Sequence, residues 1–322
     1  MNLPAGVAWA LVAGVLWGTV FIVPVILHDY PAVVLSVSRY LAFGLIALPL
    51  ALASRSAIAQ LERADWIEAA KLSLVGNLLY YSFAAAAIQR AGAPLPTVIV
   101  GSLPVVIAIA SNLGTGARVM PWRQLVLPLA LLAAGILLVN RDELLRLAAA
   151  DTDAPGGRLL SGALLAFAAV ACWTWYPIRN AAWLRARPGL RSETWTTAQG
   201  LTTLPLSLVG WLAIGALDAA GLARHDGFDW PLGPRPLLFV LMMLAIGLLA
   251  SWLGSLCWNR ASRLLPTSLA GQLIVFETLS ALAMGFAWRG QWPAPGTWLG
   301  VALLVAGVAA GVHAFSRRAA AG

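Results

Sequence analysis

A chain of 322 residues that is 60% hydrophobic and only 11% charged, with a mean hydropathy of +0.82, has too little polar surface to fold in water and belongs in a bilayer. Its net charge of +8 is spread over the segments between apolar runs, where it orients the chain and gives no evidence for nucleic-acid binding. The strict polar/apolar alternation of a membrane barrel strand is absent, which leaves helices as the way to satisfy the backbone inside lipid.

The apolar runs predict ten crossings, near 4–27, 32–53, 66–89, 94–112, 121–140, 159–180, 193–215, 236–258, 266–288 and 296–315, each close to the roughly 20 residues a helix needs. The first run lacks a basic leader and exceeds a signal-peptide core, so it reads as a retained helix carrying Trp17 and the pair Gly14 and Gly18. The second holds Arg39. In the third, Asn77, Tyr80, Tyr81 and Ala84 follow helical spacing and share one stripe. That span ends in Arg90, and a Pro-led fourth span with Ser102, Leu103 and Pro104 starts at Pro94. The segment 141–158, with four acids and Pro155-Gly156-Gly157, reads as a surface loop in which Leu144 to Ala150 form a short interfacial helix.

The sixth span carries Cys172 and Trp173, and a second acidic loop, 216–235, follows the seventh. On the eighth, Ser251, Gly254, Ser255 and Trp258 form another stripe, and the helix ends at Arg260 and Arg263. The ninth restarts at Pro266-Thr267 and holds Gln272 and Glu277, the acid placed deepest in any span. Gly296 with Gly300, and Gly307 with Gly311, mark the tenth. Such small-residue pairs let helices approach closely and read as internal contacts of a monomer, with a homodimer through the last span as the alternative.

An odd-numbered repeat must enter the membrane the opposite way the second time. The third-to-fourth and eighth-to-ninth spans match in their terminal arginines and Pro-led restarts. The expected fold class is therefore all-α: a polytopic membrane protein of ten helices in two inverted repeats, residues 1–145 and 146–322. With both termini cytoplasmic, thirteen basic residues fall on that side and seven on the other, the bias expected of an inner-membrane protein.

Leu16-Trp17-Gly18-Thr19, Ser38-Arg39-Tyr40-Leu41-Ala42-Phe43 and Phe276-Glu277-Thr278 together resemble the EamA-type drug/metabolite transporters, most closely the aromatic amino-acid exporters among them. The resemblance spans essentially the whole chain. It implies the same ten-helix fold, export of amino acids, and a central cavity lined by spans one, three, four, six, eight and nine. Leu103-Pro104 and Thr278 depart from the acid-Pro pairs of that pattern, so a mechanism needing an acid in both halves is not expected.

The expected substrate-binding residues are Trp17, Asn77, Tyr80, Tyr81, Ser102, Trp173, Ser251, Ser255, Trp258 and Gln272. Glu277 has three readings: a proton-coupling acid, a ligand for a substrate ammonium, or a structural acid bonded to neighbouring helices. Arg39 either attracts a carboxylate or serves structure by snorkelling or binding a facing carbonyl, with structure favoured. Trp9, Trp66, Trp122, Trp183, Trp195, Trp230, Trp292 and Trp298 lie near span ends and suit an aromatic belt. Cys172 and Cys257 lack CxxC or Cys/His spacing and read as apolar side chains. Lys71 follows Ala70, so the chain has no P-loop, and no metal or cofactor is called for. The partners expected are a small-molecule substrate and the lipid bilayer, not nucleic acid. An exporter of drugs or sugar-type metabolites is the alternative. An intramembrane enzyme is the distant one, because His28, His225 and His313 have no evident catalytic partner.

Overall fold

Among the described residues, 2–91, 94–113, 120–141, 144–145, 156–222, 227–290 and 292–321, the computed structural model contains nine helices long and apolar enough to cross a membrane. They are α1 (Leu3–Ile26), α2 (Ala32–Ala53), α3 (Arg63–Ile88), α5 (Trp122–Val139), α6 (Gly157–Ala186), α7 (Ser192–Ala219), α8 (Pro236–Leu264), α9 (Thr267–Trp288) and α10 (Pro295–Arg317). The expected fourth crossing, α4, is divided into Pro94–Gly101 and Leu103–Asn112. The break has a local cause. Pro104 has no N–H to continue the ladder, and the Ser102 hydroxyl donates to Ile99 O at 2.7 Å, closing the first piece before the second begins. No strand occurs among the described residues. Most of the proposed interfacial segment, 146–150, lies outside them.

Three helices outrun their apolar windows. Helix α6 continues to Ala186, α7 to Ala219 and α8 to Leu264; the ends of α6 and α8 find polar partners on neighbouring segments. Two helices widen in the middle: Ser73–Leu79 of α3 and Gly247–Leu253 of α8 are π-helical. Wide turns of this kind misalign one backbone group and recur at functional sites.

The helices pack in pairs. Helix α10 runs against α5, α7 against α2, α6 against α3, α1 against α8 and α9, and α4 against α9 and α6. Small residues seat several of these contacts. A Cβ on Gly14 or Gly18 would lie 2.9 Å from Phe276 Cβ or 2.5 Å from Ser280 Cβ of α9, and one on Gly300 would lie 2.9 Å from Val139 of α5. These glycines therefore serve internal packing. Gly6 of α1 abuts Leu264 and Leu265 at the end of α8, and Gly311 of α10 abuts Gln272 at the start of α9. The two chain ends thus share one face, called here the terminal face.

Candidate functional site

The middle of the bundle is aromatic. Trp17 of α1 packs on Trp258 and edge-on to Trp173, with centroids 5.3 and 6.0 Å apart. Trp173 of α6 is stacked between Tyr80 of α3 at 4.9 Å and Tyr176 at 5.1 Å. Offset rings at these separations attract beyond their buried area. Trp17 is fixed by its indole N–H, which donates to Ala250 O in the π turn of α8 at 3.0 Å. Gly254 allows this approach, since a Cβ there would stand 2.8 Å from the same nitrogen. Trp258 is buried, and its indole N–H has no partner among the described residues.

Beside the rings lies a charged group. The Arg39 Nε donates to Ser251 Oγ at 3.0 Å, and the guanidinium lies 5.1 Å from the centre of the Tyr40 ring. Arg39 therefore neither snorkels nor binds a carbonyl, because α2 packs against the π turn of α8 and brings a buried hydroxyl within reach. Glu277, halfway along α9, is within electrostatic reach of Arg39 and Tyr80. Among the described residues it forms no hydrogen bond or ion pair. Gly14 places α1 directly against the backbone at Glu277, which fixes the depth of the acid.

A narrow cavity of about 20 Å³ is lined by Val20, Val23, Pro24, Leu35, Ser36, Arg39, Tyr81 and Ile246. These positions belong to the end of α1, the start of α2 and the middle of α3 and α8. It therefore lies towards the face opposite the termini.

The structure gathers Trp17, Tyr80, Tyr81, Trp173, Ser251, Trp258 and Glu277 around this centre. Asn77, in the π turn of α3, and Ser255 are partly buried and make no hydrogen bond among the described residues. Ser102 is spent within its own helix. Gln272 is placed elsewhere: it is fully buried, its amide atoms have no partner among the described residues, and it packs against Gly311 of α10.

A web of buried amides joins three helices nearer the terminal face. Asn180 of α6 donates to Asn259 Oδ1 of α8 at 2.8 Å and accepts from Trp195 Nε1 at 2.8 Å and Gln199 Nε2 at 3.3 Å, both on α7. Asn259 donates to Thr196 Oγ1 at 2.8 Å. Trp195 therefore leaves the expected aromatic belt, because its N–H is a member of this web and the ring is fully buried. Trp183 and Trp9 are also drawn into polar contacts. The first donates to Asp65 at 3.2 Å, and the second lies under Arg260, 4.6 Å from ring centre to guanidinium.

The terminal face is laced with charge pairs. Arg179 forms a bidentate pair with Glu68, Arg187 meets Glu62 at 3.0 Å and Asp65 at 3.7 Å, Arg260 binds Glu193, and Arg263 donates to Leu190 O. The other face has a smaller cluster in which Arg235 meets Asp29 at 2.7 Å and donates to Ile26 O at 2.8 Å. Among the described residues, no group of three His, Cys, Asp or Glu side chains could hold a metal ion.

Comparison with known proteins fits this picture. Residues 4–141 match the EamA-like transporter family. The chain is 47% identical over 312 residues to the inner membrane protein YtfF of Escherichia coli (strain K12), covering 96% of this chain and 95% of that protein. A solved crystal structure of a protein 19% identical has the same fold, with a TM-score of 0.70 and coverage of 95% of this chain and 96% of the other. The chain belongs to the EamA-like transporter family and is a multi-pass membrane transporter of the drug/metabolite superfamily.

Proposed function

We propose that this transporter exports amino acids across the inner membrane by alternating access, with both termini in the cytoplasm. The observation that carries the substrate class is the charged group at mid-membrane. Arg39 and, when ionised, Glu277 are of opposite sign and lie within electrostatic reach of one another, yet among the described residues they form no ion pair. An uncompensated charge there costs about 2.5 to 3.5 kcal/mol on insertion scales, so a ligand that meets both lowers that cost. A zwitterionic amino acid does so, its carboxylate accepting from the free amino groups of the Arg39 guanidinium and its ammonium facing Glu277. Tyr80, Tyr81 and Ser251 supply hydroxyls beside it, and the Trp17, Trp173 and Trp258 rings supply apolar surface for a side chain.

The motion follows from the packing. Two inverted repeats, 1–145 and 146–322, are supported by helix pairs that interchange when each helix is replaced by the one five places later. The pair α3 with α6 becomes α8 with α1, and α1 with α9 becomes α6 with α4, while α2 with α7, α5 with α10 and α4 with α9 map onto themselves. A rocking motion that exchanges the two halves exposes the central group to each side in turn.

Uptake into proteoliposomes of a panel of neutral amino acids, with and without a pH gradient, tests the reading. Saturable transport of neutral amino acids is the expected result. Transport of a cationic drug or a sugar-type metabolite, with none of any amino acid, would contradict it.

A further inference from the structure

The two faces of the bundle can be compared contact by contact, because the five-place exchange says which contact on one face corresponds to which on the other. Contacts made on both faces at once belong to bodies that move as units. Contacts made on one face only distinguish this conformation from its inverse.

The pairing of α3 with the α6–α7 turn, through Glu62 and Arg187, is of the first kind. Its counterpart, α8 with the α1–α2 turn, is closed on the other face by Arg235 and Asp29. The junction of α7 with α8 is of the second kind. On the terminal face it is closed by Glu193 with Arg260 and by Asn259 with Thr196.

Its counterpart is the junction of α2 with α3, where the structure has a narrow cavity and where, among the described residues, no hydrogen bond or ion pair joins the two helices. Thr196 and Gln199 stand at the same steps from the start of α7 as Ser36 and Arg39 do from the start of α2. The first two lie in a closed buried web, while the second two border the narrow cavity and are not bonded to α3. The helix-ending arginines repeat this difference. Arg263 closes α8 onto the α6–α7 turn, while Arg90, in the helical turn just past Ile88, is exposed and makes no hydrogen bond or ion pair among the described residues.

We propose that the α7–α8 junction, Glu193–Arg260 with the Asn180–Asn259–Thr196 web behind it, is a releasable latch on the terminal face. In the inverse conformation it opens while α2 and α3 close at Ser36, Arg39 and Tyr81. The closing of that second junction draws in Arg39, so the latch and the binding group move together. The inference rests on the alternating-access reading above but not on its substrate.

Cross-linking tests it. Superposing the π turns of α3 and α8 places Ala86 opposite Arg260, and the matched helix starts place Val33 opposite Glu193. In a protein with Cys172 and Cys257 replaced by Ala, the pairs Glu193→Cys/Arg260→Cys and Val33→Cys/Ala86→Cys are introduced alone and together. Each disulfide is expected to form by itself, and locking the first is expected to reduce the yield of the second about tenfold or more. Formation of both in the same molecules, or failure of the second to form at all, would overturn the latch.

A second measurement does not depend on the paired cysteines. With Ser262→Cys as a single buried probe, Glu193→Gln is expected to speed its labelling by an impermeant maleimide about fivefold, and Glu62→Gln to leave the rate unchanged. Equal effects of the two substitutions would also overturn it. Mutually exclusive cross-links without amino-acid transport would fault the substrate and leave the latch standing. Transport with coexisting cross-links would do the reverse.

Discussion

At the scale of single residues, the buried amides and the central charges respond to mutation differently. Replacing Asn180 by Ala leaves Trp195 Nε1, Gln199 Nε2 and Asn259 Oδ1 without their shared partner. Each buried group left unsatisfied costs about 1–3 kcal/mol, so Asn180→Ala should lower stability in detergent by about 3 kcal/mol or more. Ser102→Ala, which removes a bond within one helix turn, should cost about 0.5 kcal/mol or less. Equilibrium unfolding of the two variants checks the contrast. Glu277→Gln works the other way. It replaces an ionisable group that has no ion-pair partner among the described residues, and should leave the melting temperature unchanged or raised while transport of neutral amino acids falls about tenfold. A lowered melting temperature would assign Glu277 to structure instead.

These residues also mark where the sequence stops being readable. The Asn180–Asn259 bond spans 79 positions, and Arg39 meets Ser251 across 212. No local spacing encodes such meetings. The available signal was an amide or a guanidinium inside an apolar run, which says that a partner exists without saying which. Trp195 shows the converse. Its place near a helix end suits a belt, but an indole N–H is equally suited to a buried acceptor, and only the packing of α6 on α7 decides. Gln272 was readable as polar and deep, but the face it takes depends on how closely α10 approaches at Gly311.

At the scale of elements, the apolar windows locate the helices well because length and composition dictate a crossing. They miss the ends of α6 and α8, where Arg185, Arg187, Asn259 and Arg260 dilute the apolar signal but are bonded to neighbours. The π turns were not legible at all. Glycine spacings were, and they have measurable consequences. Gly254→Val drives a side chain into Trp17 and parts α1 from α8, so it should cost about 3 kcal/mol, the upper range for overpacking. A Cβ at Gly285 of α9 meets nothing within 4 Å, so Gly285→Ala should stabilise by up to about 1 kcal/mol through helix propensity. Thermal melts of the purified variants decide. Equal destabilisation by both would mean that the close contact at Gly254 is not what holds α1 to α8.

At the scale of the whole molecule, a nearly symmetric set of helix pairs surrounds an asymmetric centre. Glu277 has no acidic counterpart in the other half, where Leu103 stands nearby in the repeat. Gln199 occupies in α7 the place of Arg39 in α2. On the proposed mechanism the shared packing supplies two equivalent ways to rock, and these exchanges give the centre one basic and one acidic side chain with which to select a cargo.

The most direct measurement of that claim deletes one charge from the protein and the matching charge from the ligand. Uptake of a neutral amino acid and of its carboxamide is compared in proteoliposomes for the unchanged protein and Arg39→Gln. If Arg39 reads the carboxylate, the substitution should lower kcat/KM for the amino acid about tenfold or more and leave that for the amide within about twofold. An equal fall for both compounds would contradict the account and return Arg39 to a role in holding α2 against α8.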